Sequence, residues 1–335
     1  MTSFTEPVQA DAFFYSKKKK KGLQKVEPPY PSLEAPIADT HAHLDLLSNV
    51  PLALARCALY KVGFICSIVD PSEDEGKAYA LHETWQTEAS SMISSLICAS
   101  LAQADESTQG FLDNINPGPI PSLRIACGCH PHNARHYSAE LEALLLSYLG
   151  KPVTCALGEV GLDYHYDYSP REQQREVFRR QINLAHISGL PLILHLREAH
   201  EDALKIMDEE GFPEAGTLLH CFNQGWDSVA PWLERGCFIA LGGAVTFKKS
   251  DETREALKHI PESALLTETD APYMAPEPMR SMACEPAHTI FTAQKIAEVR
   301  GCEPGTSRKQ LLTCMYNNAL ALLDRAPSAW QLNKE

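Results

Sequence analysis

The run TCALGEVGLD, Thr154 to Asp163, is followed by REQQREVFRRQINLAHISG at 171–189 and by LPLILHLR at 190–197. The outer two pieces are short, near-continuous apolar runs. That is the pattern of strands covered on both faces, whereas half-exposed strands alternate. The middle piece places Val177, Phe178, Ile182 and Ala185 on one helical stripe and stops at Gly189, a common C-terminal signal. Together they form one β-α-β unit, the repeating piece of a parallel sheet.

The same rhythm runs outward in both directions. Strand candidates precede the unit at 37–44 (IADTHAHL), 63–70 (GFICSIVD) and 123–131 (LRIACGCHP). Others follow it at 216–222 (GTLLHCF), 237–245 (CFIALGGAV) and 264–272 (ALLTETDAP). AELEALLLSYLG and REAHEDALKIMDEEG read as helices that also close on glycine. Eight strands alternating with helices predict an α/β fold, a (β/α)8 TIM-type barrel, as a single domain over 36–325. A doubly wound open sheet is the runner-up, and it lacks its usual signatures: no Gly-x-Gly-x-x-Gly or Walker-type loop opens a helix. Residues 1–35, with the lysine run Lys17 to Lys21, read as an N-terminal Lys/Pro-rich tail, and 326–335 as a C-terminal tail. The stretch from about 90 to 122 reads as an extension of the second helix followed by a Pro/Gly-rich loop, a candidate insertion.

The 335 residues are 44% hydrophobic and carry a formal charge of −13, which argues against a broad basic surface for nucleic acid but not against a locally positive cleft. No run is long and apolar enough to span a bilayer, and no secretory signal opens the chain, so no membrane role is expected. The eleven cysteines are scattered through apolar contexts without a CxxC pair. They fit reduced, buried thiols in a cytoplasmic protein, with Cys127 and Cys129 packing rather than binding zinc. A monomer is expected.

The chemistry gathers at strand ends. His41 and His43 close the first strand, one residue apart and on the same side. Glu159 ends the fourth, His195 the fifth, His220 the sixth and Asp270 the eighth. In a parallel barrel these ends open on one face, where active sites are built. Burying so many imidazoles and carboxylates costs several kcal/mol each unless they are paired or bind metal. Six ligands exceed the three or so that one catalytic zinc takes, which points to two divalent ions sharing a carboxylate. Two such ions bring about +4 against about −2 from the carboxylates, so the pocket suits an anion such as a phosphate. Zinc, manganese, iron, cobalt and nickel fit the imidazoles better than magnesium does, although magnesium stays on the list.

In order, ADTHAHLD, CGCHPHNA, LGEVGLDY, LILHLREA, LLHCF and LLTETDAPYMAP resemble the successive motifs of TatD-type metal-dependent hydrolases, within the amidohydrolase-like barrel superfamily. The resemblance implies that His41, His43, Glu159 and Asp270 hold one metal. It implies that Glu159, His195 and His220 hold the second, with Glu159 bridging, and that Asp270 orients or deprotonates the attacking water. It also implies a nuclease, a DNase with 3′-5′ exonuclease activity on DNA or short oligonucleotides. APEPMRSMACEP at 275–286 departs from the basic, asparagine-bearing family stretch, leaving Arg280 as the cation there.

Around this core, His130 and His132 fit phosphate or leaving-group contacts, a structural role being the alternative. Arg197, two residues after His195, is placed to clamp a phosphate oxygen and act in catalysis with Asp270 and Glu159; a salt bridge to a barrel carboxylate is its other reading. Tyr273 and Tyr164 are candidates to stack on a base. Asp45 and Asp163 are expected to orient ligand imidazoles. The rival activity is hydrolysis of a C–N or ester bond in a small molecule, since the same ligands polarise a carbonyl.

Overall fold

A computed structural model of the chain describes residues 11–18, 22–29, 33–73, 76–113 and 115–334. A hairpin of β1 (Phe14–Lys18) and β2 (Gly22–Val26) precedes eight barrel strands. These are β3 (Ile37–Ala42), β4 (Val62–Val69), β5 (Ser122–Cys127), β6 (Thr154–Asp163), β7 (Leu192–Arg197), β8 (Thr217–Leu219), β9 (Phe238–Leu241) and β10 (Leu265–Thr267). Each pairs in parallel with the next, so spatial order equals chain order. Helices α1 (Val50–Leu59), α2 (Lys77–Ala102), α3 (Glu106–Asp113), α4 (Ala139–Leu149), α5 (Arg171–Ser188), α6 (His200–Glu210), α7 (Trp226–Leu233), α8 (Asp251–Leu257), α9 (Thr289–Val299), α10 (Thr306–Leu323) and α11 (Ala329–Leu332) fill the connections and the C-terminus. The sheet is a nearly closed TIM-type barrel, as the strand rhythm predicts. Its β10–β3 seam is held by a bridge between Ala42 and Ala271 and by two hydroxyls. Thr40 Oγ1 donates to the Thr267 carbonyl (3.1 Å) and Thr267 Oγ1 to that of Ala38 (2.6 Å).

Alternation along the strands divides the core. Phe64, Cys66 and Ile68 of β4 point inward with Ile193, Leu218, Ala240 and Leu266, while Ile65 and Val69 face the helical shell. Each such buried Phe, Leu or Ile contributes roughly 1.5–3 kcal/mol. Among the described residues no helix is long and apolar enough to cross a membrane. Cys127 and Cys129 are buried, and the residue groups with metal-ligand spacing contain no cysteine among the described residues.

The structure adds detail at three places. The N-terminal tail lies against the domain where it is described: Ala12, Phe13 and Phe14 are buried, and Phe14 packs on Tyr60, His288 and Phe291. Arg56 joins the pieces, donating Nε–H to the Asp11 carbonyl (2.8 Å) and N–H to both Glu285 oxygens (2.7 Å). Part of the lysine run, residues 19–21, lies outside the described residues. The C-terminal segment is also anchored, because Gln331 is buried and its amide donates to the carbonyls of Leu149, Lys151 and Thr154. Finally, Glu159 and His195 are not terminal in their strands. Pairing of β6 with β7 continues through Gly161–His195, Leu162–Leu196 and Asp163–Arg197, a ribbon rising past the rim. Gly161 allows it: its φ is +142° and a Cβ there would sit 2.2 Å from the His195 carbonyl oxygen. In the 90–122 stretch the helix extension is as read, since α2 runs 26 residues to Ala102, about 39 Å long, but a separate helix, α3, stands between it and the Pro/Gly-rich loop.

Candidate functional site

β3 ends at Ala42 and β10 at Thr267, yet the two chains stay locked beyond those ends. The Asp270 N–H donates to the His41 carbonyl (2.9 Å) and the His43 N–H to that of Ala271 (2.8 Å). This lock holds Asp270 at φ +60°, a region that non-glycine residues occupy at a cost of about 1–2 kcal/mol. Its Oδ1 consequently faces two imidazoles, 3.5 Å from His43 Nε2 and 3.9 Å from His41 Nε2.

Glu159 is buried between this group and a second one. Its Oε1 lies 2.5 Å from His195 Nδ1 and 2.7 Å from His220 Nε2. Its Oε2 lies 3.3 Å from His41 Nε2 and 3.9 Å from His43 Nε2. One carboxylate thus spans two sets of donors: His41, His43 and Asp270 on one side, His195 and His220 on the other. Burial opposes charge on Glu159, but His220, His41, His130 and His195 outweigh it and hold the carboxyl well below its usual range. The converse holds for three imidazoles. Burial disfavours their protonation, but Glu159 raises His195 and His220, the latter strongly, and Asp270 raises His43.

His41 differs. It is fully buried, stacked on His220 at 3.9 Å between ring centroids, and lowered in pKa by that burial and by His220. Among the described residues neither ring nitrogen makes a hydrogen bond, although Glu159 Oε2 is near Nε2. An imidazole left this way costs a few kcal/mol, and a cation beside Nε2 removes that cost. The donor set therefore fits divalent metal on either side of Glu159. Two other groupings have similar spacing, His41–His220–Glu268 and His130–His132–His195; they share His41, His220 and His195 with the sets around Glu159, and part of their donor atoms is engaged. Glu268 Oε1 accepts the Cys221 N–H at 2.6 Å, and Asp163 takes Nε2 of both His132 and His195 (2.9 and 3.1 Å).

Asp163 does what the sequence reading expects of it, bridging those two rings. The Asp45 carbonyl accepts from Lys77, and the charge of its carboxylate adds to the effects that raise His43. Two further carboxylates, which the sequence did not single out, support the cluster. Asp39 accepts from the backbone N–H groups of His41 and Thr269 and from the Thr269 hydroxyl. Glu268 Oε1 stands 3.7 Å from His220 Nδ1. Both lie in the quoted motifs, two residues from His41 and Asp270, and that proximity is the one signal that could have found them.

The expected substrate residues divide. His130 joins the cluster, its Nε2 3.6 Å from Glu159 Oε1, and His132 stacks edge-on against it. Arg197 is exposed, makes no ion pair among the described residues, and lies over the Tyr166 ring at 4.6 Å. Tyr273 is 42% exposed with its ring 6.0 Å from that of His43. Tyr164 is turned away to Asp202 and Arg171, and Arg280 covers Phe247. Exposed Tyr166 and Tyr168, beside His132, were not anticipated.

With this geometry in view, the family model of the TatD related DNases matches residues 38–324. The chain belongs to that family. The metal-dependent hydrolase YabD of Bacillus subtilis is 39% identical over 178 residues, covering 53% of this chain and 70% of that protein. The 3′-5′ ssDNA/RNA exonuclease TatD of Salmonella typhimurium is 33% identical over 189 residues, 55% of this chain and 73% of that protein. Among solved structures, YjjV, a TatD homolog from Escherichia coli, superposes with a TM-score of 0.64 at 24% identity over 86% of this chain and 98% of that one, which speaks for the fold. The family is one of metal-dependent hydrolases, and the present chain is a hydrolase of that kind.

Proposed function

We propose that this chain is a two-metal phosphodiesterase, a deoxyribonuclease that removes nucleotides 3′ to 5′ from single-stranded DNA or short oligonucleotides. The observation carrying this reading is the split of Glu159, one oxygen toward His195 and His220 and the other toward His41 and His43. His41, His43, Asp270 and Glu159 would hold one divalent ion; Glu159, His195 and His220 would hold the other. Such ions, when bound, lower the pKa of a coordinated water and offset charge on phosphoryl oxygens. Family membership and the named exonuclease relative support a nucleic-acid substrate. The eleven free thiols support a reducing, cytoplasmic setting.

The chain's own groups set up the rest. Asp163 receives Nε2–H of His195, which leaves Nδ1 unprotonated toward Glu159 and the metal side. Glu268 Oε1 lies 3.7 Å from His220 Nδ1 and favours positive charge on that ring, whose Nε2 faces Glu159. Burial lowers His130 to about 4, so it is neutral at physiological pH. Its Nδ1 accepts the His132 backbone N–H (3.1 Å), so its proton sits on Nε2, facing Glu159 and the cluster. His130 is thereby a hydrogen-bond donor for a phosphoryl or leaving oxygen. Asp270, held in its left-handed backbone, is the carboxylate that takes a proton from the attacking water. Arg197 adds charge at the rim, and Tyr273 borders the entrance beside His43.

The test is metal-reconstituted protein on 5′-labelled single-stranded DNA, beside bis-p-nitrophenyl phosphate and an amide panel. A ladder shortening from the 3′ end is expected. Chelation, or Glu159→Ala, should cut the rate by on the order of 10³-fold or more, the scale of losing a preorganised charge-stabilising group. DNA cleavage that survives both overturns the two-metal reading, and cleavage confined to amides overturns the phosphodiester reading.

A further inference from the structure

Tyr166 and Tyr168 follow β6 on the rim and are 45% and 54% exposed. Their rings stack, centroids 5.3 Å apart and planes within 10°. The arrangement is built rather than incidental. Asp167, between them, adopts φ +51°, which turns the chain so that residues i and i+2 lie face to face. Arg171 fixes that turn with Nε–H and N–H bonds to the two Asp167 oxygens (2.9 and 2.8 Å). Neither phenol hydroxyl has a hydrogen-bond partner among the described residues, so what the pair offers is its ring faces.

The stack is also tied to the candidate metal centre. The Tyr166 N–H donates to Asp163 Oδ1 at 2.9 Å, while Oδ2 of the same carboxylate holds His132 and His195. Both tyrosines meet the His132 ring edge-on, at 5.6 and 4.8 Å. Arg197 stands over the Tyr166 ring at 4.6 Å, placing a cation against the aromatic pair. Aromatic faces beside a cation suit a single-stranded nucleic acid, whose bases stack and whose phosphates seek charge.

We propose that Tyr166, Tyr168 and Arg197 form a stacking platform that grips a base at the 3′ end of the substrate strand next to the scissile phosphate. The proposal rests on the nuclease reading above. Because every base presents a π-face, the platform selects single strands with little base preference.

The test compares a single-stranded oligothymidylate with the same strand carrying 5,6-dihydrothymidine at its two 3′-terminal positions, which keeps the hydrogen-bonding groups and loses the planar ring. The wild-type protein should favour the aromatic strand by about 5- to 100-fold in kcat/KM, mostly through KM. In Tyr166→Ala/Tyr168→Ala that ratio should fall to within about threefold of unity, whereas Tyr166→Phe/Tyr168→Phe should keep it. A structural role through His132 would instead lower both substrates together and leave the ratio intact, which overturns the platform. So does a wild-type protein that cleaves both strands equally. A wild-type protein that cleaves neither strand refutes the nuclease reading itself, and the platform with it.

Discussion

Replacing Asp163 by Asn tests how the second donor group is oriented. The side chain is fully buried and accepts from four donors: His132 Nε2 (2.9 Å), His195 Nε2 (3.1 Å), and the backbone N–H groups of His165 (3.0 Å) and Tyr166 (2.9 Å). Burial works against its charge, yet the His132 and His195 bonds hold the carboxyl well below its usual range. Asparagine is nearly the same shape but has only one accepting oxygen. If that oxygen keeps the backbone pair, the amide N–H groups face two imidazole N–H groups. His195 must then move its proton to Nδ1, the nitrogen 2.5 Å from Glu159, or swing away. Losing a buried ligand partner of this kind weakens metal binding by about 10- to 100-fold, which is ~1.4–2.7 kcal/mol. The loss should fall on the Glu159–His195–His220 side alone, since His41, His43 and Asp270 have no contact with Asp163. Titration with Zn²⁺ or Mn²⁺ against a chromophoric chelator should resolve one weakened and one unchanged site. A variant with an unaltered unfolding midpoint whose sites weaken equally, or by less than about threefold, would refute this orienting role.

Metal binding should release protons, because His195, His220 and His43 are raised in the metal-free chain. They stay protonated to higher pH than a free imidazole, so affinity should strengthen as pH rises through their raised values and weaken as it falls. Calorimetry at neutral pH in two buffers of different ionisation enthalpy measures this, and identical heats would contradict it. Gly161→Ala forces a Cβ to within 2.2 Å of the His195 carbonyl oxygen at φ +142°, and should cost on the order of 3 kcal/mol in urea unfolding. A change under 1 kcal/mol would mean the β6–β7 ribbon yields easily. Arg56→Ala strands the Glu285 carboxylate, buried and held low in pKa against its burial chiefly by Arg56. It should destabilise the fold by about 3–5 kcal/mol while leaving metal affinity unchanged; thermal unfolding and the chelator titration check the two halves.

The barrel was legible because parallel strands covered on both faces read as apolar runs, and all eight fall where Ile37 to Pro272 alternate with helices. The cluster was legible through spacing, since His41 and His43 share a side and His195, His220 and Asp270 lie at or near strand ends. What stayed hidden depends on contacts far apart in sequence. The lysine- and proline-rich composition around β1 and β2 conceals Phe14, whose burial is set by Tyr60 and Phe291. Gln331 looks like a tail residue until three carbonyls converge on it. Asp45 was expected beside the imidazoles and Asp39 was given no role, because what fixes Asp39 is Thr269 across the seam, far away in sequence. The Tyr166–Tyr168 stack depends on one backbone angle at Asp167, which no pattern of hydrophobicity encodes.

The most direct measurement is anomalous diffraction from crystals of protein reconstituted with Mn²⁺ or Zn²⁺, with metal content determined on the same sample. Two peaks should appear on opposite sides of the Glu159 carboxylate, one contacted by His41, His43 and Asp270 and the other by His195 and His220. A single peak with about one metal per chain in a fully active enzyme, or peaks at His130 and His132 with Glu159 uninvolved, would contradict the bridging carboxylate on which the site is built.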